Sequence, residues 1–214
     1  MSAVDISENN VLILSVVILM DCFDVTLALN SLVAVSLIVA GNHLMMHHNH
    51  VTRGYGAYCF AFGYFILGVT ASGQSLDRVN VRSRRYLLGV GSAIAVVAGS
   101  FMTQFHAKEH VKKLLSGHLR DYPEAKQDIM KAIPVIDHVL VYGGYAGLVL
   151  ALALNDNNRV NYVRGALAVG AFAVIGYTYN RMLDSYIKNK DIREHQIAHI
   201  LSWGLLVIAT AYKC

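Results

Sequence analysis

Charge is scarce in this chain. Only 15% of its 214 residues are Asp, Glu, Lys or Arg, where a soluble domain carries about 25%. An ordinary water-soluble globule is therefore a poor fit, and a mean hydropathy of +0.44 points the same way. Proline is almost missing, with Pro123 and Pro134 the two examples. That favours long helices, because proline removes a backbone donor and clashes with the preceding turn. Cysteine is sparse as well. Cys22, Cys59 and Cys214 stand far apart with no CxxC pair, so neither a disulfide framework nor a zinc knuckle is expected. The formal net charge of +4 is too modest to indicate a nucleic-acid partner. There is no GxGxxG, no P-loop and no GxSxG elbow, so none of the usual nucleotide-binding or serine-hydrolase signatures applies. The opening MSAVDISENN has no Arg or Lys. It reads neither as a transit peptide nor as a signal peptide, so no cleavable presequence is expected.

What the chain does contain is apolar runs long enough to cross a bilayer, which takes about 20 residues per helix. The expected fold is all-α, a polytopic membrane protein. Six spans are expected, at about 25–46, 56–74, 86–105, 136–154, 162–182 and 198–212. The first apolar run covers 11–46. As one helix it would reach about 54 Å at 1.5 Å per residue, well beyond a hydrocarbon core of about 30 Å. Asp21 and Asp24 are its natural break. Residues 1–24 then form a tail with an interfacial or partner-packed segment, and 25–214 form the bundle. Between spans three and four, ten charged residues fall between Lys108 and Lys131. Val111, Leu114, Leu115 and Leu119 recur there at helical spacing. This predicts an extramembrane amphipathic helix over about 107–131, with a break near Pro123.

Small residues recur every fourth position in three spans: Gly91, Ala95 and Gly99; Gly143, Gly147 and Ala151; Ala166 and Gly170. Such stripes let helix backbones approach, and packing is the main attraction between helices in lipid. The partner can be this chain, a second copy or another subunit. Loops after spans one, three and five hold ten Lys and Arg, eleven with Arg181, against seven on the other side. The positive-inside rule then puts that basic side in the cytoplasm or a matrix-like space, and both termini opposite.

Histidine is the notable polar residue. The stretch HLMMHHNH, residues 43–50, places His43, His47, His48 and His50 at the end of span one. His106, His110 and His118 follow span three, His138 opens span four, and His195 and His199 open span six. With six spans all ten lie on one side of the membrane. His43/His47, His106/His110 and His195/His199 are each HxxxH, which puts two imidazoles on one helix face about 5–6 Å apart. Together with His48 they are the candidate metal ligands, and imidazole suits iron, zinc or copper. HLMMHH with HAKEH and HQIAH resembles the histidine boxes of membrane fatty-acid desaturases and hydroxylases, which implies a di-iron centre at the membrane surface. The second and third boxes of that family usually end in paired histidines, and these do not. HQIAH also resembles the HxxxH of the progestin/adiponectin-receptor and alkaline ceramidase superfamily of zinc membrane hydrolases. That resemblance implies His106 and Asp137 as further site residues, although that family has seven spans. The ordinary alternative is that these histidines sit at the interface, apolar body in lipid and polar tip in water.

Asp21 and Asp24 share a helix face; a carboxylate inside a span would be a functional site, whereas one just before it would be interfacial. Asn30, Gln104 and Asn180 can hydrogen-bond between helices. Tyr177, Tyr179 and the lone Trp203 suit interface or packing roles, and Arg82, Arg84 and Arg85 read as a positional anchor or a lipid-headgroup contact. The first functional expectation is a non-catalytic membrane subunit of a larger assembly, for example an energy-transducing one. Its partners would be lipid and other subunits or copies of itself. The alternatives are a membrane metalloenzyme built on the HxxxH pairs, and a small carrier or channel using Asp21 and Asp24.

Overall fold

The computed structural model describes residues 22–45, 49–103, 117, 123–154, 159–187 and 193–213. Among them are six helices: α1 (Val25–Met45), α2 (His50–Ala71), α3 (Arg84–Thr103), α4 (Pro123–Ala153), α5 (Tyr162–Ile187) and α6 (Arg193–Ala211). The protein is an all-helical membrane protein. α1, α2, α3 and the 135–153 stretch of α4 are long and apolar enough to cross a bilayer. α5 and α6 pack into the same bundle.

The helix starts follow local chemistry. Asp24 caps α1, its Oδ1 accepting from the amides of Thr26 and Leu27 at 3.0 and 3.1 Å. Asn49 caps α2 by accepting from the Val51 amide, and Asn161 accepts from the Arg164 amide at the start of α5. Each side-chain oxygen satisfies a donor that the first helical turn cannot. α2 ends on Gly73, at φ +75°. Gly73 N–H donates to Thr70 and Gln74 N–H to Val69, the paired bonds that close a helix on a left-handed residue.

Each helix packs on its neighbours in sequence, and α1 packs on α6, so the six form a closed ring. The pairings are antiparallel. Gly41 of α1 lies against Gly56 and Phe60 of α2, while Gly63 lies against Ala34 and Ile38. Gly68 of α2 meets Gly89 of α3. Gly99 of α3 meets Asp137 and Val141 of α4, and Gly147 of α4 meets Ser92 of α3. At each of these a Cβ would run into backbone or a fixed side chain, so glycine sets the helix separation there. The ring closes through a short ladder: Asp24 N–H donates to Ala211, and Lys213 N–H to Cys22. The Phe23 and Tyr212 rings meet edge to face, and Lys213 Nζ lies 3.2 Å from Asp24 Oδ2. We call this face of the bundle the terminal end and the opposite face the histidine end.

Three expectations need correction. α4 runs unbroken from Pro123 through Pro134 to Ala153. The last part of the expected amphipathic segment is thus continuous with span four. Pro123 stands at the first position of this helix, where its missing N–H has no intrahelical partner to lose. At 31 residues α4 is about 46 Å long, so it projects beyond the hydrocarbon at the histidine end. The rest of the expected amphipathic helix lies outside the described residues, Gly117 excepted. Secondly, Cys22 is disulfide-bonded, while Cys59 is a free thiol. The closing ladder brings distant parts of the chain together, which sequence spacing does not reveal. Thirdly, Arg85 is buried and is no headgroup anchor, for a reason given below.

Candidate functional site

The even-numbered helices meet at the centre of the bundle. Tyr64 of α2 and Tyr145 of α4 place their hydroxyls 3.1 Å apart. Trp203 of α6 packs edge-on against Tyr64, with ring centroids 6.3 Å apart. Tyr64 and Trp203 are 2% and 1% exposed. A phenol or indole buried in an apolar bundle needs a partner for its polar hydrogen. One of the two tyrosine hydroxyls donates to the other. Trp203 Nε1–H donates to His199 Nε2 at 3.0 Å, and His199 Nδ1 lies 2.8 Å from Thr178 Oγ1 on α5.

This chain sets the state of His199. An indole N–H only donates, so Nε2 must be an acceptor and carries no proton. The ring proton is then on Nδ1 and goes to Thr178 Oγ1. The Thr178 hydroxyl passes its own hydrogen to the Val174 carbonyl, 2.7 Å away. Neutral His199 satisfies every member of this chain, whereas an imidazolium would have two donors facing each other at Trp203.

A groove of about 630 Å³ opens on the outer face of the bundle between α4 and α5. Its floor is the stacked pair Tyr145 and Phe172, with ring centroids 4.8 Å apart. Ala146, Val149, Ala173 and Gly176 line its apolar part. Tyr142 on α4 and Tyr177 and Asn180 on α5 line it toward the histidine end. One helical turn beyond each rim tyrosine stands a basic side chain. The His138 ring lies 5.9 Å from that of Tyr142. The Arg181 guanidinium sits 5.3 Å over the Tyr177 ring, a cation–π contact. His138 Nδ1 is also 2.6 Å from the buried Asp137 Oδ1.

At the terminal end two buried arginines deal with helix ends. Arg85, at the start of α3, donates to the Ala151 carbonyl near the end of α4 and lies against Gly73, just past the end of α2. Arg164, at the start of α5, donates to Ala209 and Thr210 near the end of α6. Terminal carbonyls lack intrahelical donors and carry the negative end of the helix dipole, so a guanidinium suits both needs. That is why Arg85 turns inward.

Of the seven candidate metal ligands, three can be placed. His43 is exposed at the end of α1, and His195 is half-buried one turn before buried His199. His199 has both ring nitrogens engaged by Thr178 and Trp203. His47, His48, His106 and His110 lie outside the described residues, as do His118 and Gln104. Among the described residues no group of three or more His, Cys, Asp or Glu gathers in a way that could hold a metal. His43, His50, His138, His195 and His199 do fall on one end of the bundle. Asp24 stands just before α1, as cap and ion-pair partner; Asp21 lies outside the described residues. Partial burial pushes the Asp24 carboxyl up, but the Leu27 amide, the Lys213 ammonium and the Thr26 amide outweigh it and hold it below the ordinary carboxylate value.

Sequence reasoning missed Tyr64, Tyr145, Thr178 and Arg164. For the tyrosines a signal existed: each stands mid-way along an apolar span, where a hydroxyl must find a partner. Comparison with protein-family models, curated proteins and solved structures finds no match.

Proposed function

We propose that the protein is a non-catalytic integral membrane subunit that packs against other membrane proteins or a second copy. The observation that carries this reading is the division of the glycines. Gly41, Gly56, Gly63, Gly68, Gly89, Gly99, Gly144 and Gly147 are used in helix pairs within the chain. Among the described residues, Gly54, Gly91, Gly143, Gly170, Gly176 and Gly204 meet no atom of another element within 4 Å. A glycine costs a helix up to about 1 kcal/mol relative to alanine, and these six gain no helix contact among the described residues. We assign them, apart from Gly176 in the groove between α4 and α5, to close approach by a helix of another subunit or copy. The hydrogen bonds that join Tyr64 to Tyr145, and His199 to Thr178 and Trp203, support the same reading, because these groups are engaged in holding the core.

In this reading the terminal end, with its disulfide-bonded Cys22, faces an oxidising compartment. The charge count agrees, since the more basic loops lie at the other end. Extraction in mild detergent followed by native gel electrophoresis tests the proposal. A discrete complex well above 23.5 kDa is expected. Gly91→Leu or Gly143→Leu should shrink it while helical content stays constant. A monomer holding one or two iron or zinc atoms per chain would overturn this reading in favour of the histidine-box enzyme.

A further inference from the structure

The groove between α4 and α5 is apolar along most of its length and polar at one end only. Its polar end lies at the histidine end of the bundle, where Arg181 and His138 stand one turn beyond Tyr177 and Tyr142. The two flanking helices thus repeat one arrangement in opposite chain directions: a rim tyrosine, then a basic side chain nearer the water. His138 precedes Tyr142 by four residues and Arg181 follows Tyr177 by four, as antiparallel helices require. A volume of about 630 Å³ is within the range of about 300–1,000 Å³ for small-molecule pockets. The groove opens outward, so its occupant arrives from the membrane.

We propose that this groove binds one anionic glycerophospholipid. An acyl chain lies over Ala146, Ala173 and Gly176 on the Tyr145–Phe172 floor. The phosphate meets Arg181 and His138, with Asn180 and the rim tyrosines beside the glycerol esters. Charge complementarity selects the ligand: the Asp137 carboxylate balances His138, so the Arg181 guanidinium is the net charge at the mouth of the groove, and it suits a lipid whose phosphodiester charge is uncompensated better than one that carries its own ammonium. The leaflet is consistent too. The groove's mouth opens toward the side with more Lys and Arg in its loops, and that leaflet is where anionic lipids attract basic residues. This inference stands on membrane residence alone and does not depend on the subunit reading.

The test is native mass spectrometry of the full chain, released in mild detergent from nanodiscs of equal parts phosphatidylcholine and phosphatidylglycerol. One retained lipid per chain is expected, with phosphatidylglycerol favoured about fivefold. Arg181→Gln should bring that ratio close to one. Gly176→Leu, which fills the groove, should remove the retained lipid, and Ala173→Leu should do the same if the first variant folds poorly. Gly204→Leu adds the same side chain at another open helical glycine and should leave retention at the wild-type level. Equal retention of the two lipids by the wild type would overturn the proposal. So would lipid retention that survives both groove-filling variants, or a dimer that those variants dissolve, which would make a second copy the occupant.

Discussion

Arg85 and Arg164 occupy equivalent places in neighbouring helical hairpins. Each lies in the first turn of its own helix and reaches across to carbonyls near the end of the helix that follows in sequence, Ala151 for one and Ala209 with Thr210 for the other. Both are buried. Replacing either with Met keeps much of the side-chain volume and deletes the donors. A loss of about 1–3 kcal/mol is expected for each, read as a lower denaturation midpoint in detergent. Lysine should rescue only in part, since a point charge cannot repeat a planar fork.

Gly89 and Gly91 are two residues apart on α3 and should respond to alanine in opposite directions. A Cβ on Gly89 would strike the Gly68 carbonyl oxygen of α2, whereas one on Gly91 meets nothing among the described residues. Gly89→Ala should force the α2–α3 pair apart and cost about 1–3 kcal/mol. Gly91→Ala should leave the isolated chain unchanged or more stable by up to about 1 kcal/mol. Thermal melts of the two variants in one detergent check the contrast.

His199→Leu removes the acceptor of Trp203 Nε1–H and the donor to Thr178 Oγ1. Unmaking those buried bonds should cost about 1–3 kcal/mol. The lone tryptophan reports the change directly, through an altered emission maximum. Thr178→Val tests the far end of the chain. It leaves His199 Nδ1–H without an acceptor and should destabilise with little effect on Trp203 emission.

Much of this architecture is legible from residue pattern. The start of α1 after Asp24 and the placement of the five described histidines toward one end both follow from apolar run lengths, because a bilayer imposes a length on each helix. Within the chain, only half of each stripe finds its neighbour. Gly99 and Gly147 face a neighbour within the chain, while Gly91 and Gly143 of the same stripes face outward. A period of four says that a face is flat and cannot say what lies on it. Arg85 was misread because an arginine beside a span looks alike whether it turns out to lipid or in to a helix end. The Tyr64, Trp203, His199 and Thr178 network joins α2, α5 and α6, and its partners are far apart in sequence. No local pattern encodes that convergence.

Asp24 links stability to pH. Its folded carboxyl is held below the ordinary carboxylate value, so the unfolded chain takes up the proton first. The stabilisation is therefore complete above the ordinary carboxylate range and is lost as pH falls through the lower folded value. Asp24→Asn separates two roles, since asparagine caps a helix as well as aspartate does but cannot pair with Lys213. Near neutral pH it should cost about 0.5 kcal/mol, as a partly exposed ion pair does. In strong acid the gap between the two proteins should close. Asp24→Ala loses the cap as well and should cost about 1 kcal/mol more, with that increment persisting in acid.

The ladder between Cys22–Asp24 and Ala211–Lys213 also dictates an order of assembly. Neighbouring helices can pair as soon as both are made, because their contacts are close in sequence. Closure of the ring is the longest-range event in the chain and has to wait for its last helix. Until α6 arrives, Tyr64 lacks Trp203, and α1 offers an unpaired flank to the lipid. A nascent chain halted after α5 would therefore already possess the groove between α4 and α5, yet still be an open arc that quality-control factors can recognise.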